Sequence, residues 1–159
     1  MLPFKYPGMR SLFTLFIGLI AMTSSFAQTT PSIGSSLTAL EMESAKTKAQ
    51  IQDGKKVLWI LSTGGSASDP FTMLVNEQSA VGRSTNEVVI INSPTEQTKL
   101  KLTPYLGKTV SVNYFDHLST TVLRFSAITD AANAVAELRT AMPDARISLP
   151  VTYSIKRVR

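Results

Sequence analysis

The chain has no cysteine, a single histidine, a single tryptophan and only 17% charged residues. Without cysteine there is neither a disulfide scaffold nor a thiolate metal site. That suits an oxidising compartment, where a free thiol is a liability. One histidine leaves carboxylates as the remaining metal ligands, and these are dispersed. The closest pair, Glu41 and Glu43, stands two residues apart on a predicted helix and shares no face. No EF-hand spacing occurs either. Neither a metal nor another cofactor is therefore expected. No acidic residue precedes Glu41. No apolar run reaches the roughly 20 residues of a membrane-spanning helix, which excludes a polytopic membrane protein. Hydrophobic residues make up 43% of the chain, against the composition of a disordered one.

What is present starts with an address. Lys5 and Arg10 precede an apolar stretch from Leu12 to Met22, and small residues Ser25 and Ala27 follow it. A basic start, a short apolar run and a small-residue exit read as a signal peptide over residues 1–27, cleaved near Ala27-Gln28. The destination expected is periplasmic or secreted. If the segment stays uncleaved, it serves as a membrane anchor instead. Removal lowers the net charge from +5 to +3. That is a weak electrostatic argument for nucleic acid, and none is expected as partner. Residues 28–37 are rich in Thr, Ser, Pro and Gly and read as a flexible tether. Residues 38–159 are expected to form one domain.

Thr38 and Glu41 have capping-box spacing, which predicts a helix from Ala39 to Gln52 that stops at Asp53-Gly54. Val57–Leu61 is a continuous apolar run and predicts a central strand covered on both faces. Ser62–Ser66 predicts a turn, Phe71–Val75 a strand, Asn76–Asn86 a polar loop and Val88–Ile91 a third apolar strand. Lys99-Leu100-Lys101-Leu102 alternates and predicts a strand with both lysines on one face. Thr103–Lys108 is expected as a loop. The alternating runs on either side of Asp116–Ser119 make the best antiparallel hairpin, with Leu123, Phe125 and Ala127 facing inward. Asp130 is expected to cap a helix whose apolar face is Ala131, Ala134, Val135 and Leu138, ended by Pro143. Ile147 to Ile155 alternates strictly, and Pro150 places that strand at an edge or a bulge.

The fold class expected is α+β: a small, mostly antiparallel barrel or curved sheet with one or two packed helices. In residues 102–112, a Tyr-Leu-Gly-Lys turn leads into a Val-x-Val strand. This resembles a feature of oligonucleotide/oligosaccharide-binding barrels. The resemblance favours a barrel over an open sheet and assigns no family.

Four places could carry chemistry. Asp116-His117 with Ser119 or Ser62 has the residue types of a hydrolase triad. However, neighbours on a strand point to opposite faces, no Gly-x-Ser-x-Gly elbow occurs, and Asp is common in turns. No catalytic residue is assigned, and an enzyme is the less favoured reading. Ser62–Ser68 could cradle an anion, but it ends in Asp69-Pro70 rather than Gly-Lys-Ser and reads as a hairpin loop. Lys99, Lys101, Lys108 and Arg124 fall on predicted solvent faces, with Tyr105, Phe115 and Tyr153 near them. That set could bind oligosaccharide or another anionic polymer, or simply guard strands against edge pairing. Lys156, Arg157 and Arg159 form a basic cluster that could contact anionic lipid headgroups or an acidic partner, or could equally be a frayed solvated end.

The leading expectation is an exported, non-enzymatic module that binds a protein partner in a cell-envelope assembly. The last strand and its basic tail would offer an edge for strand addition.

Overall fold

The computed structural model describes residues 31–154. The segment expected to be a signal peptide and the basic residues Lys156, Arg157 and Arg159 fall outside the described residues. The pair Asp53-Gly54, expected to stop a helix, turns a hairpin instead. Helix α1 covers only Ala39–Lys46. Its capping box is present: the Thr38 N–H donates to Glu41 Oε2 at 2.8 Å, and the Glu41 N–H donates to Thr38 Oγ1 at 3.4 Å. The helix buries only Met42 and Ala45, too little apolar surface to hold a longer one. The chain then enters β1 (Gln50–Asp53), turns at Gly54 with φ +63°, and returns as β2 (Lys56–Gly65). Asp53 pairs with Lys56, so Gly54-Lys55 is a two-residue loop, and glycine at its first position supplies the positive φ that such a hairpin turn needs.

The expected turn at Ser62–Ser66 is displaced, since β2 continues to Gly65 and the bend falls at Ser66–Asp69. A bulge between Ile60 and Ser62 absorbs one residue. Strand β3 (Pro70–Asn76) follows. The supposed polar loop 76–86 contains strand β4 (Val81–Ser84). Gly82 lies in β4 because Val151 and Tyr153 pack over it: a Cβ there would stand 2.6 Å from Val151 Cγ1. The first sheet has the antiparallel order β1-β2-β3-β4.

The second sheet holds β5 (Glu87–Ile91), β6 (Thr109–Phe115), β7 (Thr120–Phe125) and β8 (Arg146–Ser148), in the order β6-β7-β5-β8 and all antiparallel. The β6–β7 hairpin is where the alternation placed it. Lys99–Leu102 is not a strand but the end of helix α2 (Thr95–Leu102). Leu100 is 78% exposed while Leu102 is fully buried, which a shared strand face forbids and a helix requires. Helix α3 (Ile128–Ala141) begins earlier than expected, with Ala127 as N-cap and Asp130 inside its first turn. The long terminal strand reduces to β8. Beyond Pro150 the chain leaves β5 and pairs Thr152 with Arg83 of β4.

The architecture is α+β, with two antiparallel sheets and no closed barrel among the described residues. One hydrophobic cluster joins both sheets. Ile51, Leu58 and Leu74 of the first sheet meet Val88, Ile90, Leu123 and Phe125 of the second, beneath α3. On its other face the first sheet packs Val75, Trp59 and Leu61 against Met42 and Ala45 of α1. Asn86, buried with φ +56°, ties the sheets where they meet: its side-chain oxygen accepts from Thr72 at 2.8 Å, and its carbonyl accepts from the Phe125 N–H at 3.0 Å.

Three of the four sheet edges have company. Along β4, the Gly34 N–H donates to the Val81 carbonyl, the Val81 N–H to Ser35 and the Leu37 N–H to Ser79. The described part of the expected tether is thus bonded to the sheet. Edge strand β1 packs against α3, where Arg139 Nη2 reaches Asp53 at 2.7 Å. The same guanidinium donates to the Ile147 carbonyl in β8 at 2.9 Å. Only β6 lacks such cover among the described residues.

Candidate functional site

The cations expected on one basic face are divided among different elements, and most have acidic partners. Lys99 pairs with Glu96 at 2.8 Å and holds its ammonium 5.4 Å above the Tyr114 ring. The hydrogen bond it donates to the Glu96 carboxylate holds its pKa above the usual lysine value. Lys108 reaches Asp130 at 3.3 Å. Arg124 is cross-strand from Glu87, bonds it through Nε at 3.0 Å, and reaches Asp69 of the β2–β3 turn at 2.9 Å. It ties the two sheets together. Lys101 borders a cleft that Asp144 also lines. Tyr105 donates to Glu137 at 2.6 Å, fastening the 3-10 turn Thr103–Lys108 to α3. Burial first, then Glu137, pushes the phenol up to about 12. Tyr153 lies over Gly82 in the other sheet, so it does not join Tyr105 and Phe115.

The Asp116-His117 pair lies in a 3-10 turn, Asp116–Leu118. Asp116 accepts from the Thr95 hydroxyl at the start of α2. Ser119 has φ +45° and closes the turn, its N–H donating to the Asp116 carbonyl at 3.1 Å. Ser62 is in β2 of the other sheet. Among the described residues, no hydrogen bond joins His117 to Asp116 or to a serine, and no three His, Asp or Glu side chains gather. In the Gly-rich stretch, Gly64 is covered by the Phe71 ring, which a Cβ would strike at 2.5 Å. Arg83 stacks on that ring at 4.1 Å. Packing thus covers Gly64, whereas the rest of Ser62–Ser68 is exposed, with Ser62 to Gly65 extended in β2.

Sequence reasoning missed the outer edge of β6. The strand reads Thr-Val-Ser-Val-Asn-Tyr-Phe, with no charge and no proline. It bonds to β7 alone, and among the described residues no backbone hydrogen bond leaves its other side. Proteins usually blunt such edges with lysine, proline, a bulge or a covering segment. Strand β6 has a bulge at its first end, between Thr109 and Ser111, and pairs regularly from Ser111 to Phe115. Six large hydrophobic side chains are exposed in the described chain, and five belong to β6 or its neighbouring segments. Val110 and Phe115 are on the strand, Leu106 just before it, Leu118 just after it, and Leu100 on α2. Scattered surface leucines mean little, whereas apolar side chains gathered at an unpaired strand mark an interaction site. The sequence did show the missing charge and proline. It did not show which strand would end the sheet.

A cleft of about 240 Å³ opens between the start of α2 and the end of α3, lined by Ser93, Gln97, Lys101, Met142 and Asp144 among others. Its size is below that of most small-molecule sites. No described helix is long and apolar enough to cross a membrane. The chain matches no family model, no curated protein and no solved structure.

Proposed function

We propose that this chain is an exported, non-enzymatic module that binds a protein partner in a cell-envelope assembly, taking an extended strand of that partner onto β6. The observation that carries the reading is the unpaired β6 edge with four exposed hydrophobic residues, Leu106, Val110, Phe115 and Leu118, on the strand or in the turns that flank it. Strand addition draws affinity from main-chain hydrogen bonds and specificity from alternate side chains, and β6 offers both. The export part rests on the pattern of residues 1–27.

A photo-activated cross-linking residue at Asn113, exposed on β6, tests the edge. The full-length gene is expressed in a bacterial host and irradiated in the cell, and the linked peptide is sequenced. An adduct to an extended segment of a polypeptide is expected from position 113 and not from Glu43 on α1. Equal yields at both positions, or none at 113, refute the reading. Cell fractionation of the same cells tests export, which predicts a soluble product beginning at Gln28.

A further inference from the structure

We infer that the strand received by β6 is β6 of a second copy of this chain, paired antiparallel about a two-fold axis at Val112. This rests on the edge reading above and names its partner. The argument is the symmetry of the segment about Val112. Leu106 and Leu118 are equally far from it, as are Lys108 and Asp116, and Val110 and Tyr114. Along the regular part of the strand, Ser111 to Phe115, an antiparallel self-pair sets Val112 against Val112 and Ser111 against Asn113. It brings the Lys108 end of each strand beside the Asp116 end of the other. Val110 falls in a bulge, and Leu106 and Leu118 in the flanking 3-10 turns. A two-fold interface needs this kind of self-complementarity, since every contact is repeated with the roles exchanged.

Charge selects the direction. Lys108 closes the 3-10 turn before β6, and Asp116 opens the one after it. Parallel pairing would place lysine on lysine and aspartate on aspartate. Antiparallel pairing gives two opposite-charge pairs. Both residues are exposed: the bond from Lys108 to Asp130, at 3.3 Å, is long, and Asp116, which accepts from the Thr95 hydroxyl through Oδ1, has its other carboxylate oxygen left to accept. Between the charged ends the strand carries nothing that repels its own copy. Val112 meets Val112, and Ser111 meets Asn113, polar against polar. Such cross-strand pairs are the unit of sheet stabilisation. The product is one continuous sheet of eight strands, in which the β6 edges disappear.

Two measurements on protein purified from cells expressing the full-length chain test this. Sedimentation over a wide concentration range is expected to show a dimer. Lys108→Asp and Asp116→Lys are each expected to weaken it by about tenfold, because each replaces two attractive pairs with two repulsive ones. The double exchange is expected to restore it. A merely structural role for either residue predicts a double variant no better than the singles, and that result overturns the proposal. Because the chain has no cysteine, Val112→Cys gives a clean second readout. Residues on the axis lie within disulfide reach, so mild oxidation is expected to yield a covalent dimer. Leu40→Cys, exposed on α1, serves as the control. No excess cross-linking at position 112 overturns the register. A monomer at all concentrations whose Asn113 cross-linker captures a different protein overturns self-pairing and leaves the edge reading standing. A monomer with no adduct at 113 ends both.

Discussion

In the first sheet, β3 is buried on both faces, between α1 and the shared core, and β4 is bordered by residues 34–37 and by Thr152. In the second, one face lies under α2 and α3, while the other carries the half-buried Val89, Ile91 and Val122 and the exposed Phe115. Its β6 edge is bare. Both sheets have four strands and draw on one core, so the contrast is not one of stability. The first sheet spends chain length on its own protection, using residues from both ends of the described segment. The second leaves its longest edge strand uncharged and uncovered. Edge protection is therefore a property of individual strands, and its local absence is informative.

The largest expected effect tests whether the sheets share one core. Phe125 in β7 is fully buried. Phe125→Ala is expected to cost about 3–5 kcal/mol. The single tryptophan, Trp59, is in the other sheet. Its fluorescence should report the full loss in chemical denaturation. An unchanged Trp59 midpoint would mean that the sheets unfold separately.

A smaller effect tests how the first sheet is covered. Gly82→Ala pushes a methyl against Val151 and Tyr153 and is expected to cost about 1–3 kcal/mol. Amide exchange should rise at Arg83 and Thr152, which bond to each other, more than in β6 or β7. Equal loosening of all strands would count against local covering.

Tyr105 gives a pH signature on the second sheet's side. Its phenol is raised to about 12 in the fold, above the roughly 10 of an unfolded chain. The fold thus favours the neutral form. That contribution is whole below about pH 10 and declines as pH rises through 12. Melting temperature should fall over this window, and Tyr105→Phe should flatten the fall. A slope unchanged by the substitution would remove Tyr105 as its source.

The smallest effect sharpens the contrast most. Asn113→Lys adds charge to the bare edge at an exposed position and is expected to change stability by less than about 0.5 kcal/mol. Association should nevertheless be lost. A large stability cost would show that β6 is held within its own protomer by something other than β7.

Much of the fold was legible where a pattern was long enough. Ala131, Ala134, Val135 and Leu138 mark a helical face over several turns, and α3 formed there. The runs flanking Asp116 alternate for six or seven residues, and β6 and β7 followed. Lys99-Leu100-Lys101-Leu102 is too short to separate a period of two from one of 3.6. The helix start at Pro94-Thr95 and the burial of Thr98 and Leu102 settled it. Strand β4 was hidden because Gly82 has no side chain of its own to bury. What covers it arrives some seventy residues later. The candidate site was hidden for a related reason. The expected basic face depended on Lys99 and Lys101 sharing a sheet with Arg124, and the helix removed them. An edge is a fact of strand order, set by pairings distant in sequence, and the composition of β6 acquires meaning only once that order is known.

The closure of β4 by both ends of the described chain also sets a clock. Gly34 lies so close to Tyr153 that a Cβ on it would stand 2.8 Å from the tyrosine carbonyl. The first sheet is incomplete until residues near 152 are available to pair with Arg83. Contacts so far apart in sequence form late, because loop closure must come first. A chain emerging residue by residue from a ribosome cannot lock this edge before Thr152 has emerged.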